Sequence, residues 1–166
     1  MSQGKSIFTV FILFFFVNSA FSAHHMVSEQ LPEAEGQALI DYVTKTNNYQ
    51  NWPLWPGTNK LYEGQHPHGS FLTTYVNKLA FEAIEGRAGT LPKGSVVVKE
   101  NYSSEKKLTA VTVMYKKPGF NPEAGDWFWL KFTPDSRIEK QGTVGGCIGC
   151  HRSVKTNDWL FTGPVR

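Results

Sequence analysis

Charge is scarce in this chain of 166 residues: Asp, Glu, Lys and Arg make up 19%, below the roughly 25% of an average soluble protein. Disordered chains are charge-rich and aromatic-poor, so a 14% aromatic content with so little charge excludes disorder as the dominant state. The net charge is only +3, and no run of five or six like charges exists, the densest patches being Lys106-Lys107 and Lys116-Lys117. A nucleic-acid partner, which takes a basic face or stripe, is excluded on that ground. Cysteine is rarer still, at two residues. A structural zinc site normally takes four protein ligands, and no second Cys pair is there to complete one. Internal repeats and low-complexity stretches are absent. The one long hydrophobic run, residues 7–17, is interrupted only by Thr9 and falls short of the ~20 residues a helix needs to span a bilayer.

That run has another reading. Lys5 precedes it, and the small residues Ser19, Ala20, Ser22 and Ala23 follow. A basic start, an apolar middle and a small-residue end make a secretory signal peptide. Residues 1–23 are therefore expected to be a signal, cleaved between Ala20 and Ala23. The mature chain 24–166 is expected to be one domain, exported to the periplasm and free of the membrane after cleavage. That compartment is oxidising, so a pair of cysteines calls for an explanation.

Apolar residues at Ala34, Ala38, Leu39, Tyr42 and Val43 recur at helical spacing and predict a helix over 33–46. Two Trp-Pro pairs predict an ordered loop over 49–57. Strands are expected at 70–76, 95–102, 108–116 and 126–132, where β-branched and aromatic residues concentrate. A short helix is expected at 78–85, and the polar turn 103–107 makes a hairpin of the two middle strands. The fold class is α+β and β-dominated: an antiparallel sheet, a few short helices and a C-terminal attachment segment.

That last element rests on Cys147-Ile148-Gly149-Cys150-His151, which holds both cysteines of the chain. C-x-x-C-H is the attachment signature of c-type haem. Two thiols add to the two vinyl groups on one porphyrin edge, and the next imidazole reaches the iron as proximal ligand. Gly145, Gly146 and Gly149 leave room for the macrocycle beside the backbone. The competing readings are a C-x-x-C disulfide with a bystander histidine and half of a zinc site. None of the 15 residues after His151 is Met or His, and Met114 falls in a predicted strand, where it reads as core. The expectation is one covalent haem c with His151 as the metal ligand and an open or water-filled distal site.

Trp52-Pro53, Leu61-Tyr62-Glu63-Gly64, Thr73-Thr74-Tyr75-Val76-Asn77, Ser95-Val96-Val97-Val98-Lys99-Glu100, Tyr115, Pro122-Glu123-Ala124-Gly125-Asp126-Trp127 and Gly146 to His151 follow one another in an order that resembles the cytochrome P-460 family, including its relatives the cytochromes c-prime-beta. The resemblance runs from about Tyr49 to Phe161. It implies a homodimeric antiparallel-sheet protein with one five-coordinate c-haem, thioether links at Cys147 and Cys150, and His151 on the iron. It further implies that Lys99, in the V-x-V-K-E strand, bonds to a haem meso carbon. Such enzymes oxidise hydroxylamine with nitric oxide to nitrous oxide and pass electrons to a soluble cytochrome. The c-prime-beta relatives lack the link and bind nitric oxide in an apolar, Phe-lined pocket without turnover.

Candidate catalytic residues are Lys99, His68 and Glu100. On a strand, Val97 and Lys99 share one face and Val96, Val98 and Glu100 the other. A lysine among valines faces solvent, or it turns to the porphyrin edge as a neutral amine, since a buried unpaired ammonium costs several kcal/mol. His66-Pro67-His68 is a distal proton donor, a sixth ligand, or a polar loop of satisfied histidines, with His68 nearer the strand. Phe71 is a candidate haem-contacting wall of the distal side, or plain core.

Overall fold

Alternating β-branched and aromatic runs place one side chain in two on each face of a sheet, so both faces here can be covered. The computed structural model describes residues 31–165; the expected signal segment lies outside them. Six strands follow each other in chain order, each antiparallel to the last: β1 (Tyr62–Glu63), β2 (Phe71–Val76), β3 (Val96–Tyr102), β4 (Leu108–Lys116), β5 (Trp127–Phe132) and β6 (Ile138–Gly142). The expected α+β, β-dominated architecture is the one found. Among the described residues no helix is long and apolar enough to cross a membrane.

One face carries Val96, Val98, Val111, Val113, Tyr115, Phe128, Leu130 and Phe132, all buried. It is covered by α1 (Gly36–Asp41) and the π-helical turn Tyr42–Thr46, through Leu39, Ile40, Tyr42 and Val43. The helix expected over 33–46 is thus shorter at its start and changes pitch midway. Glu35 sets that start, because its carboxylate accepts from the N–H groups of Gln37 and Ala38 at 3.0 and 2.8 Å.

The other face carries Val97, Met114, Trp127 and Trp129. It packs against α2 (Lys78–Glu85) and against the C-terminal segment, which comprises α3 (Gly145–His151), a 3-10 stretch Arg152–Asn157 and the tail with Trp159, Leu160 and Val165. Burial of each large apolar side chain here contributes roughly 1.5–3 kcal/mol. The Trp-Pro loop is ordered, as expected. Trp55 is buried, its N–H donates to the Thr74 carbonyl at 2.8 Å, and Val76 N–H donates to the Pro53 carbonyl at 3.0 Å.

Candidate functional site: a cavity under the C-x-x-C-H helix

In β3 the residues Val97, Lys99 and Asn101 share a face, and the register sets Met114, Thr112 and Ala110 of β4 beside them. One strand further, Trp129 and Lys131 of β5 continue the same rows. Helix α3 lies over this face and encloses a cavity of about 460 Å³ with it, within the roughly 300–1,000 Å³ of sites that hold small molecules and cofactors. Its walls include Val97, Met114, Trp129 and Leu160 on the apolar side and His68, Lys99, Thr112 and Lys131 on the polar side. Cys147, Cys150 and His151 line it as well.

The C-x-x-C-H motif is helical, and this explains its spacing. Positions i, i+3 and i+4 of an α-helix fall on one face, so both thiols and the imidazole address the same cavity. The thiols are free rather than joined. Burial pushes the Cys147 thiol up from its ordinary value. His151 is buried and clamped, with the Trp129 ring at 4.7 Å and the Phe161 ring at 5.0 Å from its own. Its Nδ1 lies 2.6 Å from the Trp159 carbonyl. A carbonyl only accepts, so Nδ1 carries the proton and Nε2 keeps a free lone pair. Burial also holds the imidazole below its usual pKa, with the Trp159 carbonyl opposing and the Lys99 charge assisting. Ligands to iron are held by such outer hydrogen bonds.

Lys99 opens into the same cavity and has no hydrogen-bond or ion-pair partner among the described residues. Burial pushes its amine down to about 8. His68 is half-buried on the loop before β2, where Gly69 brings the chain against β3. A Cβ on Gly69 would sit 2.4 Å from the Tyr102 carbonyl oxygen and 2.5 Å from its nitrogen, which only glycine avoids. Burial, then the Lys99 charge, lower the His68 imidazole to about 4, against a raising hydrogen bond from Asn101.

Two expected site residues lie elsewhere. Glu100 is buried on the opposite face, where its carboxylate accepts from Tyr49 Oη at 2.9 Å, Tyr102 Oη at 2.6 Å and Gln50 Nε2 at 3.2 Å. Adjacent strand residues point to opposite sides, so Lys99 and Glu100 cannot serve one site. Glu100 instead ties the Tyr49–Asn51 turn to the sheet, and burial beside this carboxylate raises both phenols above their ordinary value and keeps them donors. Phe71 pairs in register with Tyr102 and so belongs to the Glu100 face, with the Lys106 ammonium 5.3 Å above its ring. It does not line the cavity. Met114 combines both of its readings, being buried core and cavity wall at once. Asn101, the Trp159 carbonyl and Lys131 were not foreseen; their only signal is cross-strand register and tail folding.

The family model of cytochrome P460 matches residues 46–162. The chain belongs to the cytochrome P460 family. No curated protein matches it. The family is one of haem cytochromes, and the residues present fit that cofactor. Two thiols and a bare imidazole nitrogen converge on one cavity, and a Cβ built on Gly146 or Gly149 would meet no atom within 4 Å. The space beside the motif is open where a macrocycle would lie.

Proposed function

We propose that this cytochrome P460 is a periplasmic, homodimeric enzyme that holds one haem c and converts hydroxylamine and nitric oxide to nitrous oxide. Cys147 and Cys150 would hold the porphyrin, each S–H adding across one vinyl group with no electron lost. His151 would bind the iron through Nε2. The iron supplies a site for the substrate nitrogen and a path for electrons. The reaction balances as one hydroxylamine plus one nitric oxide giving nitrous oxide, water, one proton and one electron. A soluble acceptor cytochrome takes the electron. His68, with Nδ1 committed and Nε2 bare, takes the proton.

The observation that carries this reading is the unpartnered Lys99 amine in the cavity of the attachment motif. With a pKa of about 8, roughly half of it is neutral at pH 8. A desolvated neutral amine is a nucleophile. A link from it to a meso carbon would replace one N–H and one C–H by an N–C bond, with two protons going to solvent and two electrons to the acceptor cytochrome. The nitric-oxide-binding alternative calls for a Phe-lined distal pocket, whereas no phenylalanine among the described residues lines this cavity.

Lys99→Ala in the haem-loaded protein is expected to give an ordinary c-haem absorption spectrum and a protein mass without the extra cross-link. Hydroxylamine oxidation should fall by about 10²–10⁴-fold, with nitric oxide still bound. An unchanged spectrum, in a wild type that does not oxidise hydroxylamine, would leave nitric oxide binding as the function.

A further inference from the structure

The His68 and His151 rings both line the cavity and stand nearly perpendicular, with centroids 6.3 Å apart and planes at 81°. That separation falls within the range of an edge-to-face ring pair and leaves no room for a further side chain between the rings. It matches one metal ion between two imidazoles: metal–nitrogen bonds of about 2.0–2.1 Å and about 1.2 Å from each nitrogen to its ring centre span about 6.4 Å.

Both rings are held in the same manner. His151 gives its Nδ1 proton to the Trp159 carbonyl. His68 Nδ1 lies 2.8 Å from Asn101 Oδ1. The Asn101 amide is fixed, because its Nδ2 donates to the Lys99 and Ala110 carbonyls at 2.9 and 3.3 Å and lies 3.3 Å from Thr112 Oγ1. Its oxygen is therefore the acceptor, and His68 carries its proton on Nδ1. Each imidazole is left with a bare Nε2 that no hydrogen bond reaches among the described residues. A histidine whose outer nitrogen is anchored and whose inner one is free is arranged as a metal ligand. Gly69, packed against β3, and Asn101 of β3 hold His68 in place, so the arrangement is built into the sheet.

We infer that His68 is the distal axial ligand of the haem iron, so that the resting protein is six-coordinate with His68 and His151 in trans. This rests on the haem reading above and changes its gating. The His68 lone pair cannot bind iron and accept a proton at once, so the His68–iron bond must open before a small nitrogen ligand enters. While it is closed, affinity for any such ligand is reduced by the fraction of molecules that are open.

The test uses haem-loaded full chain, with acid–acetone extraction run in parallel. The ferric wild type is expected to be low-spin by absorption and electron paramagnetic resonance. His68→Ala is expected to be high-spin and to return to low-spin on adding imidazole. Cyanide should bind His68→Ala at least about tenfold more tightly than wild type, which corresponds to a distal site open in a tenth of molecules or fewer. In wild type alone, the cyanide association rate should saturate with concentration, since His68 release becomes limiting; this needs no variant. A high-spin wild type with linear cyanide kinetics and covalent haem would overturn the His68 assignment and leave the haem reading standing. Protein without covalent haem would overturn both.

Discussion

Changing Cys147 and Cys150 together to Ala should leave no haem that survives acid–acetone extraction. The two thiols sit three residues apart on one turn of α3, at the wall of the cavity that His151 also lines. They are the only cysteines of the chain and are free. No other side chain there can add across a vinyl group, so the loss should be complete rather than graded. Each single variant should keep one link and give an alkaline pyridine spectrum intermediate between a c-type and an unmodified haem. The fold should survive the double change, because Cys150 is exposed and Cys147 only half-buried. A deleted, partly buried sulfur costs about 1 kcal/mol. Non-covalent haem would then rest on His151 and the apolar wall alone. Covalent haem in the double variant, or a colourless wild type from cells with full haem-maturation machinery, would mean that the motif does something else.

The parts of this structure that could be read from sequence are those decided locally. Strands β2 to β5 were legible because their residues alternate or branch at Cβ, and the motif was legible because its chemistry fixes its spacing. β6 was not foreseen: at an exposed edge, Ile138–Gly142 carries three exposed polar residues in a row and no alternation. It is a strand because β5 offers it a ladder, and because Gln141 Oε1 accepts from the Gly36 N–H at 2.8 Å. The Glu100 misplacement has the same root. Alternation already separated Lys99 from Glu100, but which face held the cavity depended on where α3 came to rest. His68 shows the reverse: no spacing links it to His151, and only the packing of the Gly69 loop on β3 brings the two rings together.

What anchors α3 is a buried ion pair, and breaking it should have the largest effect on stability. The Lys116 ammonium lies 2.5 Å from Asp158 Oδ1, with side-chain exposures of 8% and 5%. Asp158 Oδ2 accepts from the Leu91 N–H at 2.8 Å, its carbonyl accepts from Trp127 Nε1 at 2.9 Å, and Lys116 stands 4.6 Å above the Trp127 ring. Asp158 thus joins β4 and the residue before Pro92 through its carboxylate, and β5 through its backbone carbonyl, to the tail. It also holds backbone that would not hold itself. Asp158 and Trp159 have φ of 51° and 67°, a left-handed conformation that costs non-glycine residues roughly 1–2 kcal/mol each. The Trp159 carbonyl that orients His151 is the next acceptor along this strained pair. Asp158→Ala leaves a buried ammonium without its partner, a change worth about 3–5 kcal/mol. Urea unfolding of the haem-loaded protein should show that loss as a lower midpoint at unchanged slope. Replacing both partners by apolar residues of similar size, Lys116→Met with Asp158→Leu, should recover part of it, since no charge is then orphaned. Recovery should be incomplete because the Leu91 N–H still loses its acceptor. If Asp158→Ala costs less than about 1 kcal/mol, the pair does not anchor the tail, and the hold on His151 must come from the Trp129 and Phe161 rings instead.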